Sequence, residues 1–389
     1  MPGPEVTLRP RGIRRGAALT LVFAAVLVTA AATDCWQRDE AKSPPLPARS
    51  IAATADHEEV AAAAARAMAD GKSGKEAAEE VVSRSGDRWG AVYGPAEYEE
   101  FTQALDGEYT GVGLSVERVP GGRVEVTRVQ SGGPAGRAGV REGDRLRTID
   151  GRPVANRSVT EVVGLLRGDG PARAGSSVVL GLERGAREWR ETLRRARLTT
   201  EAVTVEPLTG GDAVLIRVAS FTKGSGERVR DAVRAAPEGH GVLLDLRGNG
   251  GGLVAEAVTA ASAFLDGGLV ATYDMRGEQR ALHAEPGGDT ARPLVALVDG
   301  GTMSAAELVT GALQDRGRAV TVGSRTFGKG SVQMPSRLPD GSVAELTVGH
   351  YRTPAGHSVD GRGISPDLVV GERAEERART VLSGLGGGA

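Results

Sequence analysis

The spacing of apolar positions changes several times along the chain, and each change marks a new region. Residues 57–83 are rich in alanine and glutamate, which predicts helix, and EYEEFTQALDG (97–107), with Pro95 near its start, predicts another. From residue 109 short apolar runs alternate with glycine-bearing turns, as in small β-rich domains. From residue 201 continuous apolar runs such as VLLDL and PLVALV alternate with helical segments, which indicates an α/β domain with a buried sheet. The predicted regions are an N-terminal helical region (51–105), a compact, partly open barrel (106–198) and an α/β domain ending in a helix (199–389).

The first 50 residues have a different character. Four arginines precede an apolar run from Ala17 to Thr33, and Ala30-Ala31-Ala32 offers a cleavage site for a signal peptidase. The run of about 17 residues is also near the minimum for crossing a bilayer. We therefore predict an exported, extracytoplasmic protein whose residues 1–33 are either a cleaved signal peptide or a retained membrane anchor. Residues 34–50 are polar and proline-rich, which predicts a linker.

Composition excludes several classes of function. The chain has 48 Lys plus Arg against 50 Asp plus Glu, so its charge gives no reason to expect a nucleic-acid partner. Its single cysteine, Cys35, rules out an internal disulfide framework, and the preceding Asp34 disfavours a lipoprotein site there. The five histidines show no zinc-binding spacing, so we expect neither a metal nor a cofactor.

Two segments of the α/β domain have the features of an acyl-transfer site. GVLLDLRGNGGGL (241–253) runs from a buried strand into a glycine-rich turn, where backbone N–H groups can face developing negative charge. PLVALVDGGTMSAAELVTGAL places Ser304 at the start of a helix, with the N–H of Ala305 placed to donate to an oxyanion. Ser304 and Glu307 also form the sequence of a capping box, so this pattern alone leaves a purely structural serine open.

A serine nucleophile needs a base, and Lys329 in TFGKGSVQ is the candidate. Phe327, Val332 and two glycines flank it, which is the setting expected for a sheltered lysine whose pKa is lowered by burial. The four-residue separation between Lys329 and Gln333 predicts a tight turn through Gly330 and Ser331. Such a turn would let the Gln333 amide oxygen accept from the lysine nitrogen.

The 106–198 region resembles a PDZ domain, chiefly in GGPAGRAGVREGDRLRTIDGRPV and the helix that follows. The resemblance implies capture of an extended peptide by strand addition. The peptide's terminal carboxylate would be bound by the backbone of the loop Gly111, Val112, Gly113 and Leu114. The alternative is that these glycines only shape a hairpin.

The chain from about residue 55 to 385 resembles the C-terminal processing peptidases, or tail-specific proteases. That resemblance implies a mixed α/β (crotonase/ClpP-like) protease core with an inserted PDZ domain. It implies Ser304 as nucleophile, Lys329 as general base and Gln333 as the residue that positions the lysine. The oxyanion hole would combine Ala305 with a glycine of 250–252, for which we favour Gly251. Two departures are Gly250, where the family has proline, and Thr302-Met303, where it has small residues.

The sequence thus predicts an exported serine endopeptidase with a Ser-Lys dyad, acting near the C-termini of proteins or peptides that its PDZ domain captures. Assembly into a homo-oligomer is left open. One alternative is a non-catalytic PDZ scaffold that retains a protease-like fold. Another is a chymotrypsin-like protease of the HtrA kind, which would need a GNSGG-type serine sequence and a PDZ domain on its C-terminal side; the chain has neither.

Overall fold

The computed structural model of the chain describes residues 55–119, 121–155, 157–168, 174–208, 212–275 and 278–386. The predicted export segment (1–33) and linker (34–50) lie outside the described residues. Within these described ranges, no helix combines the length and apolar character needed to span a bilayer.

The helices and strands follow the predicted alternation. The helices are α1 His57–Ala69, α2 Gly74–Ser85, α3 Pro95–Leu105, α4 Pro134–Arg137, α5 Val159–Arg167, α6 Ser225–Ala235, α7 Val254–Ser262, α8 Ala305–Asp315 and α9 Ala374–Gly386. The strands before the α/β core are β1 Ala91–Tyr93, β2 Glu108–Gly111, β3 Leu114–Val119, β4 Arg123–Val129, β5 Arg145–Ile149, β6 Arg152–Pro153, β7 Ser177–Arg184, β8 Arg187–Arg194 and β9 Ala196–Thr199. Those of the core are β10 Val203–Pro207, β11 Ala213–Val218, β12 Gly241–Asp245, β13 Leu269–Met275, β14 Glu278–His283, β15 Leu294–Val298, β16 Val320–Gly323, β17 Ser331–Arg337, β18 Val343–Arg352 and β19 Leu368–Val369.

The centre of the α/β core is a six-stranded sheet in the order β10-β11-β12-β15-β16-β19. All its pairs are parallel except β10 with β11, and every residue of β12 and β15 is buried. Alternate residues of β12 face opposite layers: Val242 and Leu244 pack with helices α6 to α8, whereas Leu243 packs with α9. Burial on both faces explains why these strands are continuous apolar runs.

A second, antiparallel sheet has the order β1-β18-β13-β14, with β17 paired to β18. Strand β1 comes from the N-terminal region, where Ala91 to Tyr93 pair with Val343 to Glu345. Helices α1 and α2 share one apolar cluster with Leu338, Ala344 and Leu346 of the core. The predicted N-terminal region is therefore part of the core unit and has no separate hydrophobic interior.

The PDZ-like region has its own sheet, in the order β3-β4-β5-β7-β8 with β6 on β5, and its own buried cluster. Strands β2 and β9 pair with each other at the point where the chain enters and leaves this region. Among the described residues β3 pairs only with β4, so its other edge is open to an added strand.

Candidate active site

Ser304 lies at the turn between buried strand β15 and helix α8. Its φ of 56° and ψ of −117° are unusual for a residue with a side chain, and such strain is found chiefly at functional positions. A serine on a strained strand-to-helix turn presents its hydroxyl at the end of the strand. The side chain is 5% exposed and borders the N-terminus of α8.

The turn that bears Ser304 is bonded to the glycine-rich turn after β12. The Thr302 hydroxyl donates to the Leu246 carbonyl at 2.9 Å, and the Met303 N–H donates to the Asn249 carbonyl at 2.9 Å. The Gly248 N–H donates to the Asp299 carboxylate at 2.9 Å. The two residues that depart from the family pattern therefore fix the nucleophile turn against the turn expected to hold the oxyanion.

The backbone near Ser304 provides several candidate oxyanion donors. Ala305, predicted as one of them, is the first residue of α8 and is buried. The prediction of Gly251 is not met in this conformation, because its N–H donates to the Asn249 side-chain oxygen at 2.8 Å. Within the described ranges, the N–H groups of Gly250 and Gly252 have no hydrogen-bond partner and are therefore unoccupied candidates for this role. A side chain at Gly252 would meet the Phe221 carbonyl oxygen at 2.2 Å, so only glycine fits there.

Glu307 connects the nucleophile to the candidate base. One carboxylate oxygen accepts the N–H of Ser304 at 2.9 Å and the N–H of Lys329 at 2.8 Å. The other accepts the Gly328 N–H at 2.7 Å and the Thr326 hydroxyl at 2.5 Å. The sequence showed Glu307 only as a capping residue, whereas the structure makes it a clamp on both loops. Burial raises its pKa, an effect that the four hydrogen bonds oppose.

Tyr351 of β18 is a second tie between the two loops that sequence reasoning missed. Its hydroxyl is 2.9 Å from the Ser304 carbonyl oxygen and 3.0 Å from the Lys329 carbonyl oxygen. The ring is buried, and burial raises the pKa of its hydroxyl well above the ordinary value. Tyr351 therefore donates a hydrogen bond at any physiological pH.

Lys329 is only 1% exposed, as a sheltered base requires. Burial lowers its pKa to about 8, against the opposing influence of Glu345, Asp87 and Asp360. The Lys329 ammonium nitrogen lies 5.2 Å from the centre of the Trp89 ring, a contact that no local sequence pattern indicated.

Gln333 does not occupy the predicted tight turn. Strand β17 begins at Ser331 and pairs with β18, with a register irregularity between Val332 and Gln333, so pairing with β18 overrides the predicted turn. The Gln333 amide N–H group donates to the Ser331 hydroxyl at 2.7 Å and to Thr347 at 3.4 Å. Its buried side-chain oxygen has no hydrogen-bond partner among the described residues. The predicted bond from the lysine to this oxygen is therefore absent from this conformation.

The predicted carboxylate-binding loop lies between β2 and β3. The carbonyl of Val112 accepts from Ala135, and that of Gly113 accepts from Gln130, both at 2.9 Å. Because these peptides are trans, the N–H groups of Gly113 and Leu114 point the opposite way, toward the open side of β3. Gly113 has φ 79°, which favours glycine.

Comparison with known proteins agrees with both halves of this architecture. The profile of peptidase family S41 matches residues 212–370, and that of a PDZ domain matches residues 125–180. A solved structure titled photosystem II D1 C-terminal processing protease is 32% identical, with a TM-score of 0.50, covering 81% of this chain and 86% of that one. The mixed α/β core with an inserted PDZ domain is thus confirmed.

Curated relatives give the same result. The carboxyl-terminal-processing protease of Synechocystis sp. is 32% identical over 299 residues, which cover 76% of this chain and 70% of the relative. The chloroplastic carboxyl-terminal-processing peptidase 3 of Arabidopsis thaliana is 34% identical over 307 residues. Those residues cover 74% of this chain but only 58% of the Arabidopsis protein. This chain belongs to peptidase family S41.

Proposed function

We propose that this chain is a serine endopeptidase that cleaves protein substrates near their C-termini, with Ser304 as nucleophile and Lys329 as general base. The observation that carries the proposal is the Glu307 carboxylate, one oxygen of which binds the N–H groups of both residues. A carboxylate that only capped α8 would not need to reach Lys329. The strained backbone of Ser304 and the burial of Lys329 support the same assignment.

The reaction follows from the roles of these groups. Neutral Lys329 takes the Ser304 proton as the serine oxygen attacks the substrate carbonyl carbon. The N–H of Ala305, with that of Gly250 or Gly252, stabilises the oxyanion. When the tetrahedral intermediate collapses, the peptide C–N bond breaks and the Lys329 ammonium protonates the departing amine. Water then attacks the acyl-enzyme, giving its proton to Lys329, and the new C-terminus leaves as Ser304 recovers its proton.

This mechanism sets the pH dependence of cleavage. Lys329 acts only when neutral, and its pKa is lowered to about 8, so the rate increases as pH rises through about 8. Arginine cannot lose its proton in this range, so Lys329→Arg keeps the charge but removes the base.

The PDZ domain is proposed to capture the substrate tail. An extended peptide would add to the open edge of β3, with its terminal carboxylate on the N–H groups of Gly113 and Leu114. The basic and apolar residues 1–33 support export, either with cleavage or as a membrane anchor. Neither tail capture nor export depends on the assignment of Ser304 and Lys329 as the catalytic dyad.

The test is cleavage of a tagged, unstructured substrate by wild type, Ser304→Ala and Lys329→Arg. We expect each variant to lose at least about 10⁴-fold in rate while remaining folded. Ser225→Ala and Lys223→Arg are matched controls, since Ser225 is also a buried serine at the start of a helix and the backbone N–H groups of both residues bond outside the site. Comparable cleavage by folded Ser304→Ala would disprove the nucleophile, and tail binding by wild type without cleavage would favour the non-catalytic scaffold.

A further inference from the structure

The loop 86–90 (GDRWG), between α2 and β1, reaches the active site from the N-terminal region. The Trp89 ring centre lies 5.2 Å from the Lys329 side-chain nitrogen. The indole N–H donates to the Asp360 carboxylate at 3.4 Å, which also accepts the N–H of Gly330 at 3.2 Å. Phe327 packs against the same ring with centroids 5.7 Å apart. Trp89 therefore contacts the Lys329 amine, Phe327 two residues before it, and the Asp360 carboxylate that accepts from Gly330.

Asp87 anchors this loop in a gap of the antiparallel sheet. Strand β1 pairs with β18 only as far as Glu345, and β13 pairs with it only from Gly349 onward. Between them, the Asp87 carboxylate accepts the Thr347 N–H at 2.8 Å and the Thr347 hydroxyl at 2.7 Å. That hydroxyl also accepts from Gln333 at 3.4 Å. The loop is thus held to the β17–β18 pair, whose first strand begins two residues after Lys329 and contains Gln333.

We propose that Trp89 is a positioning residue for the general base: its ring covers the Lys329 amine and keeps water away from it. The inference rests on the proposed role of Lys329. A covered amine cannot be hydrated as an ammonium ion, so the cover favours the neutral form that a base requires. Phe327, the aromatic residue nearest to Lys329 in the sequence, is itself 43% exposed.

Several charged groups act against the cover. Glu345 on β18, Asp87 in the loop and Asp360 after β18 all raise the pKa of Lys329, and burial outweighs them. The Trp89 ring also attracts an ammonium ion, and the Arg88 guanidinium lies 4.5 Å from that ring's centre. Removing the ring abolishes both its attraction and its shielding. Burial is the largest influence on the pKa of Lys329, so under this proposal the lost shielding outweighs the lost attraction and the pKa rises.

The experiment measures the Lys329 pKa directly in the full-length chain. The sequence has only five lysines, so the lysine ε-carbons give few signals in a ¹³C NMR titration, and Lys329→Arg identifies the relevant one. Ser304→Ala is used as the background to prevent self-cleavage. We expect Trp89→Ala to raise the Lys329 pKa by about one unit or more, toward the ordinary value of 10.5. Trp89→Phe, which keeps an aromatic cover, should leave it near that of the parent.

Trp189→Ala is the matched control, because Trp189 also lies beside arginines but belongs to the PDZ unit. It should not move the Lys329 signal. If Trp89→Ala does not fold, Trp89→Leu replaces it, with an intermediate rise expected. An unchanged pKa in folded Trp89→Ala or Trp89→Leu, or equal rises in the Phe and Ala variants, would overturn the proposal.

The same Trp89 variants are also made in the chain that keeps Ser304. Their cleavage activity separates this inference from the proposed function. With Lys329 as base, the acid limb of kcat/KM should shift upward with the measured pKa. A shifted pKa with an unshifted acid limb would support the cover and reject Lys329 as the base. An unshifted pKa rejects the cover whatever the activity of the enzyme.

Discussion

The two regions that precede the α/β core differ in how they depend on it. The PDZ unit has its own six-stranded sheet, β3 to β8, and its own buried apolar cluster. The N-terminal region instead lends β1 to the core's antiparallel sheet, and α1 and α2 bury their apolar faces on core residues. Position in the sequence therefore does not show which region is dispensable, since the region that is further from the core in sequence is the one built into it.

The two regions also differ in which part of the proposed reaction they serve. Loop 86–90 of the N-terminal region contacts Lys329 and anchors Thr347. The PDZ unit presents an open strand edge and a loop suited to a carboxylate. We therefore expect damage to the N-terminal region to impair catalysis and damage to the PDZ unit to impair recruitment.

The largest contrast should come from removing each region. Gly111 and Ala196 are partners in the β2–β9 pair, so residues 112–195 can be replaced by a short glycine linker. The excised protein should fold and its Ser304 should still react with a fluorophosphonate probe. Deleting residues 55–85 would expose Leu338 and Leu346, each worth about 1.5–3 kcal/mol of burial, together with the rest of their cluster. That loss is comparable to a typical total stability of about 5–15 kcal/mol.

Circular dichroism melting and probe labelling of the two deletion proteins measure this contrast. A folded, reactive protein without α1 and α2 would contradict the shared core. An unfolded protein after PDZ excision would show that the PDZ unit is also part of the core.

A smaller contrast compares two aspartates with similar roles. Asp87 accepts hydrogen bonds from Thr347, Trp89 and Gly90 in the N-terminal region. Asp144 accepts from Arg141 and Arg184 within the PDZ unit. Either change to alanine leaves several donors unpaired, so we expect each to lower the free energy of unfolding of its own unit by about 3 kcal/mol.

Only Asp87→Ala should also slow the reaction of Ser304 with the fluorophosphonate probe, by about 10- to 100-fold, because it releases the loop that covers Lys329. Asp144→Ala serves as its control. Equal labelling rates in both variants would remove the link between the N-terminal loop and the proposed catalytic residues.

The sequence predicted the features that are local in the chain. Continuous apolar runs identified β12 and β15, and the strand-turn-helix around Ser304 followed from its capping pattern and flanking residues. The family resemblance identified Lys329 as the expected general base. Local patterns alone showed only a lysine flanked by glycines and apolar residues. These signals work because secondary structure and helix capping depend on near neighbours in sequence.

The remaining features depend on contacts between distant segments. Trp89 and Asp360 are 271 positions apart, and nothing in either neighbourhood predicts their hydrogen bond. The tight turn predicted after Lys329 failed because pairing with β18 makes Ser331 the start of a strand. The Gly251 N–H is a local exception: the Asn249 side chain, two residues earlier, accepts it, and the sequence does not show which glycine of the turn that side chain engages. In the other two cases a partner outside the local pattern decided the geometry.

A buried carboxyl at the joint between the N-terminal region and the core gives a third contrast. Glu345 is opposite Ala91 of β1, and burial raises its pKa to about 7, which Lys329 partly opposes. Between the ordinary pKa of 4.5 and about 7, the folded protein holds a proton that the unfolded chain releases. The free energy of unfolding should therefore fall as pH rises through this range, by up to about 3 kcal/mol.

Denaturant unfolding at pH 5 and pH 7.5 measures this fall, and Glu345→Gln should remove most of it; the pKa of Glu307, which burial also raises, contributes in the same direction. Glu206→Gln, on the exposed part of β10, should leave it unchanged. The PDZ unit should behave oppositely, since Asp144 has a pKa that hydrogen bonds from Arg184 and Arg141 lower despite its burial. Its stabilising contribution is lost as pH falls below about 3.8, outside the range tested. An undiminished fall in Glu345→Gln would assign it to Glu307 or to another group.

The smallest effect is expected from Gly113→Val in the PDZ loop. Gly113 has φ 79°, and an added Cβ would lie 3.3 Å from the Cβ of Gln130. A valine there costs about 1–2 kcal/mol and would turn the N–H groups that face the open edge of β3. We expect KM for a substrate with a free C-terminus to rise about 10-fold, while kcat and probe labelling of Ser304 stay unchanged.

Gly185→Val is the matched control, because Gly185 has φ 59° with open space around it in the β7–β8 turn. It introduces similar strain into the same domain away from β3, so it should leave KM unchanged. Equal KM values for free-acid and amidated tails in the wild type would remove this loop from substrate capture. A fall in kcat for Gly113→Val would show instead that the PDZ unit, like the N-terminal region, acts on the catalytic residues.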